Sequence, residues 1–129
     1  MINNTNKIVF SRTLHNVQEI ENWKNVRLVH EFDAAAVRRL KETPGKGIWV
    51  GGSGLALSLI KAKVIDEFRF MINPVVIEKG TSIFEGMQGK LDLELTTTHR
   101  YSSCLLLVML LRQTFLWAMS RLLQTSYSF

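Results

Sequence analysis

A single cysteine, Cys104, stands among 129 residues. That excludes a disulfide framework and a multi-cysteine zinc site, and a reducing compartment is expected. The three histidines, His15, His30 and His99, are too scattered to offer ligand spacing, so no metal site is expected. Only 2 Pro and 8 Gly accompany 47% hydrophobic and 21% charged residues, a composition that leaves no room for a disordered or fibrous chain. Met1 to Asn6 is polar and uncharged with no apolar core after it, so no secretory leader is read and a cytoplasmic location is expected. Acidic residues are absent from the last 29 positions, which carry only Arg112 and Arg121. The net charge of +5 is therefore spread and mild. No basic stripe interleaved with aromatics exists, so nucleic acid is not an expected partner, whereas a phosphate-bearing cofactor suits the excess.

What is present reads as one α/β layered domain. Lys7 to Phe10 and Val26 to Val29 are short runs rich in β-branched residues, hence strands. Between them His15 to Asn25 reads as a loop with one helical turn. Asp33 is placed to cap a helix running to Lys41, with Phe32 and Val37 spaced as a hydrophobic staple, and Thr43-Pro44-Gly45 ends it. The strand Ile48 to Val50 follows, then Gly51-Gly52-Ser53-Gly54, then a helical stretch from Leu55 to Lys63. Phe68, Phe70 and Ile72 alternate as one face of a strand that Asn73-Pro74 interrupts before Val75-Val76-Ile77. Leu91, Leu93 and Leu95 alternate with polar residues and mark another strand.

The order strand, glycine turn, helix is the most informative feature for chemistry. Amides in the first turn of a helix lack intrahelical partners and carry partial positive charge, so an anion binds there when no side chain blocks the approach. The same glycines also suit a tight turn with no ligand. A Walker lysine is absent, which disfavours a nucleoside triphosphatase. Asp66 and Glu67 are adjacent carboxylates in an extended segment; they leave on opposite faces and read as structural anchors, not as an acid/base pair. Ser11-Arg12-Thr13 offers two hydroxyls and a guanidinium at a strand end, suited to a phosphate or ribose or simply to a turn. Cys104 lies in an apolar stretch and reads as packing.

Taken in order, Ser11-Arg12-Thr13-Leu14, Leu40-Lys41 through Pro44-Gly45-Lys46, Ile48 to Val50, Gly52-Ser53-Gly54-Leu55, Leu59, Ile65-Asp66-Glu67, Arg69, Pro74-Val75 and Phe84-Glu85-Gly86 resemble the dihydrofolate-reductase-like family. The likeness is greatest to the reductase domain at the C-terminus of the bifunctional riboflavin-biosynthesis deaminase/reductase. The resemblance implies a mixed, mostly parallel sheet flanked by helices, NADPH as cofactor, a small-molecule substrate, and usually a cytoplasmic homodimer. It implies that Gly51, Gly52, Ser53, Gly54 and Leu55 hold the cofactor pyrophosphate, with Gly51-Gly52 a candidate cis peptide. It also implies that Ser11 and Arg12 approach the adenosine side, including a 2′-phosphate.

Three departures qualify what is inherited. The family domain normally begins with a further central strand and helices, so the chain reads as N-terminally truncated and its fold as incomplete. No carboxylate occupies a matching catalytic position, and none is assigned. Val50 stands where riboflavin-type reductases tend to carry a substrate-contacting Glu. The family's usual closing strand is replaced after Ser103 by an apolar stretch, which suggests a partial reductase domain over 1–103 and a divergent tail over 104–129, as a changed reading frame would produce. Leu105 to Leu111 reads equally as a closing strand. A membrane span over Cys104 to Leu123 is disfavoured by Arg112 near its middle, at about 2.5 to 3.5 kcal/mol. Two functions are thus expected: an NADPH-dependent reductase domain of the 5-amino-6-(5-phosphoribosylamino)uracil reductase or dihydrofolate reductase type, or a non-catalytic nucleotide-binding or oligomerisation module.

Overall fold

The computed structural model describes residues 4–17, 23–112 and, for the backbone, 123–128. The chain divides into two compact units, Met1–Asp33 and Ala34–Phe129, each taken by itself below.

In the first unit, β1 (Lys7–Phe10) and β2 (Val26–Val29) form a two-stranded parallel sheet with Lys7 opposite Val26 and Phe10 opposite Val29. Both strands were legible from their β-branched composition. The Lys7 ammonium donates to the carbonyls of Thr5 and Lys24, each at 2.7 Å, and ties the strand entrances together. Phe32, expected as half of a staple, has its ring centroid 6.1 Å from that of Phe10. The helical turn expected between the strands falls partly on 18–22, outside the described residues.

The second unit contains α1 (Ala34–Glu42), β3 (Ile48–Val50), α2 (Ser53–Lys61), β4 (Glu67–Ile72), β5 (Leu93–Tyr101), β6 (Cys104–Leu111) and β7 (Leu123–Ser128). The sheet order is β3-β7-β4-β6-β5. β7 runs parallel to both β3 and β4, while β6 is antiparallel to β4 and to β5. The fold is α/β, but the pairing in this sheet is evenly mixed where a mostly parallel one was expected. The reason is local: Tyr101 pairs with Cys104 across Ser102-Ser103, and so tight a hairpin can only return the chain antiparallel. Ser102 adopts φ 52° to make it.

Phe68, Ile65, Leu59 and Ala56 are at most 2% exposed and form the centre of the core with Val37, Val50, Ile60, Val64, Phe70 and Ile83. The helix α2 turns Ala56, Leu59 and Ile60 inward at the 3–4 residue spacing that puts side chains on one face. At roughly 1.5–3 kcal/mol for each large apolar side chain, this burial anchors α2 to the sheet. Ile72, expected to share the face of Phe68 and Phe70, is 40% exposed at the end of β4. Val75, Val76 and Ile77 form an exposed loop. Leu93 packs on the core, whereas Leu95, the last residue before a bulge in β5, is 54% exposed.

β6 takes in the apolar stretch Cys104–Leu111, with Met109 and Leu111 against the core. Residues 113–122 of the expected divergent tail lie outside the described residues. Among the described residues, no helix is long and apolar enough to cross a membrane.

Candidate functional site

The three apolar residues of β3 deliver the chain to the carboxyl end of the sheet. Val50 is buried in the core, and Gly51-Gly52 then lead into α2. The Gly51-Gly52 bond, a candidate cis peptide by resemblance, is trans, and no described peptide bond is cis. Gly52 makes the reversal with φ 91° and ψ 124°, a conformation that only glycine adopts without strain. The helix begins earlier than the expected Leu55: Ser53 is its first residue and Gly54 its second, because a helix start demands no intrahelical donor bonds from its first turn.

Gly52 is the N-cap and can offer no side chain, and no side chain caps α2. The first helical bond runs from the Ala56 amide to the Gly52 carbonyl at 3.1 Å. The amides of Ser53, Gly54 and Leu55 therefore precede the intrahelical ladder. No acidic residue lies in the first turn, so the positive end of the helix dipole has no local carboxylate against it. Gly51, Gly52, Ser53 and Gly54 are exposed and Leu55 is partly buried against the core. A Cβ built at Gly51, Gly52 or Gly54 would meet nothing within 4 Å among the described residues. Internal packing thus does not require the glycine at position 54; what its missing side chain leaves open is the approach to the helix end.

The other expected site residues belong to the first unit. The Ser11 hydroxyl oxygen accepts from the Leu14 amide at 3.1 Å and the Thr13 amide at 3.3 Å, which makes Ser11 the closing residue of the turn after β1. Its carbonyl is 2.9 Å from His30 Nδ1. Arg12 is exposed in that turn.

The adjacent carboxylates do leave in different directions, each into an ion pair. Lys41 Nζ lies 2.8 Å from Asp66 Oδ1 and 2.7 Å from Oδ2, and donates to the Val64 carbonyl at 3.0 Å, with both side chains about nine-tenths buried. Glu67 pairs with Arg69, whose guanidinium sits 4.5 Å from the Trp49 ring centroid. That stacked arrangement on β3 and β4 escaped the sequence reading, since nothing in the spacing of Trp49 and Arg69 signals that their strands lie two apart in one sheet. Cys104 is partly buried and its thiol is 2.8 Å from Asn73 Oδ1. On the exposed surface, the Lys90 ammonium is raised by its hydrogen bond to Asp92, and the Asp92 carboxyl is lowered chiefly by that bond.

A profile described as the RibD C-terminal domain matches residues 2–107. The uncharacterized protein YyaP of Bacillus subtilis (strain 168) is 33% identical over 104 residues, covering 80% of this chain and 53% of its own. The uncharacterized protein YwjB of the same organism is 32% identical over 79 residues, covering 60% of this chain and 45% of its own. The chain thus spans about half the length of the curated relatives it matches.

Proposed function

Because the chain belongs to the RibD C-terminal domain family, we propose that its glycine turn receives the diphosphate of NADPH and that the protein serves as an NADPH-dependent reductase domain of the riboflavin-biosynthesis type. The observation that carries this reading is the uncapped, sterically open N-terminus of α2 at the carboxyl end of β3. The residues present fit the group. Gly52 and Gly54 leave the approach clear, and the Ser53, Gly54 and Leu55 amides donate to an anion without any rearrangement of the helix. A bound nicotinamide cofactor supplies the hydride; this chain supplies binding and orientation. A cytoplasmic setting, a homodimer and a small-molecule substrate accompany the proposal. Val50 is 8% exposed and belongs to the core, so that position gives no carboxylate to a substrate.

One observation favours a second reading, a nucleotide-binding module without catalysis: the two carboxylates buried among the described residues, Asp66 and Glu67, are committed to ion pairs with Lys41 and Arg69. Titrating the full chain with NADPH, followed by cofactor fluorescence, tests the shared premise, and loss of absorbance from the reduced cofactor in the presence of a 5-aminouracil substrate separates the two. Binding with turnover supports the reductase, binding alone the module, and no saturable binding refutes both.

A further inference from the structure

We infer that the gap between β3 and β4 is a strand-docking slot, that the chain's own segment Leu123–Ser128 is its occupant, and that docking of this segment is what holds β3 and the glycine turn in the sheet. The claim goes beyond the cofactor reading and stands without it.

β3, α2 and β4 form a parallel crossover that leaves room for one strand between its two members, and β7 fills that room. Gln124 pairs with both Trp49 and Glu67, and Thr125 with both Val50 and Phe68. Among the described strands β7 is the one neighbour of β3, whereas β4 keeps β6 on its other side. With β7 undocked, the three-residue β3 has no described strand to pair with, and one backbone edge of the buried strand β4 loses its partners. The hairpin of β5 and β6 and its junction with β4 remain complete. The sheet therefore contains two cooperative parts, one of which opens without the other.

The occupant is the chain's own segment because the path is short. Leu110 and Gln124 both pair with Glu67 from opposite sides, so the ten residues 113–122 need bridge only two strand spacings, about 10 Å. A segment tethered so closely competes at an effective concentration of order millimolar against a second copy. The register adds a second juxtaposition. β3 ends opposite Thr125, whereas Ser126, Tyr127 and Ser128 continue beside β4 past the level at which the glycine turn leaves the sheet. This strand lies outside the stretch matched to the family, residues 2–107.

Amide hydrogen exchange of the full chain, read by mass spectrometry, tests the inference. In the wild type, 48–50 and 123–128 should share one opening rate, faster than that of 104–111. Thr125→Pro, which removes a ladder donor from a two-sided strand, should accelerate exchange over 48–50 and 123–128 by at least about tenfold while 93–111 changes less than about twofold. Thr125→Ala should retain protection. Wild-type exchange over 123–128 at the rate of an unfolded chain overturns the inference. So does unaltered protection of 48–50 in Thr125→Pro, or an equal loss of protection throughout the sheet.

Discussion

Replacing Gly54 separates binding from stability, because the two demands oppose one another at that position. Gly54 is the second residue of α2, is exposed, lies outside the positive-φ region, and has open space where a Cβ would stand. Gly54→Leu therefore adds no clash and removes backbone freedom from the unfolded chain, a gain of about 0.5–1 kcal/mol. For a unit of roughly 100 residues that raises the unfolding temperature by about 2–8 °C. The same side chain stands across the approach to the Ser53, Gly54 and Leu55 amides. Losing one hydrogen bond to a charged phosphate costs about 1.5–3 kcal/mol, which raises the NADPH dissociation constant about ten- to a hundredfold. Thermal unfolding and a cofactor-fluorescence titration on the same preparation measure both quantities. Gly54→Ala should gain similar stability with a smaller loss of affinity. A Gly54→Leu protein that melts at or above the wild-type temperature and binds NADPH within twofold of wild type would refute the reasoning, since the anion would then not sit at this helix end.

Other outcomes follow from the ion pairs and the helix end. Lys41→Met should destabilise by about 3–5 kcal/mol in urea unfolding, because Asp66 is left buried without its cation; the double variant Lys41→Met with Asp66→Leu should recover most of the loss, and equal instability of the two variants would show that the ion pair is not the cause. The α2 end closes with the Lys63 amide donating to the Ile60 carbonyl at 2.9 Å and the Val64 amide to the Leu59 carbonyl at 3.1 Å, with Lys63 at φ 54°. Glycine relieves that left-handed strain, so Lys63→Gly should stabilise by about 1 kcal/mol, and a lower melting temperature would count against this account. The Asp92 carboxyl, held low by Lys90, contributes above the ordinary carboxylate range and loses that contribution as pH falls through its depressed folded value. Both partners are exposed, so Asp92→Asn should leave the melting temperature at neutral pH unchanged within error; a clear drop would show that the pair is shielded from solvent.

Much of the secondary structure was readable because its causes are local. The alternation of Phe68 and Phe70, the β-branched runs at Lys7–Phe10 and Val26–Val29, and the Pro44-Gly45 stop each act within a few residues. The glycine turn was legible for the same reason: a strand, a residue free to take positive φ and a helix are consecutive in the chain. Errors arose where neighbours on the chain were not neighbours in space. The α2 start lies at Ser53 because helical hydrogen bonding needs nothing from its first amides, and Leu95, apolar by alternation, is exposed next to a bulge whose existence depends on β6.

Sequence alone determined the elements, the polarity of their faces and the chemistry available at the Gly51–Gly54 turn, since each depends on the side chains and dihedral freedom of contiguous residues. Tertiary structure decided which partners those elements found: Lys41 against Asp66, Arg69 beneath Trp49, and β7 between β3 and β4. Those pairings join residues 20 to 75 positions apart, and no local preference specifies them. They follow from burying apolar faces while giving every interior donor, acceptor and charge a partner.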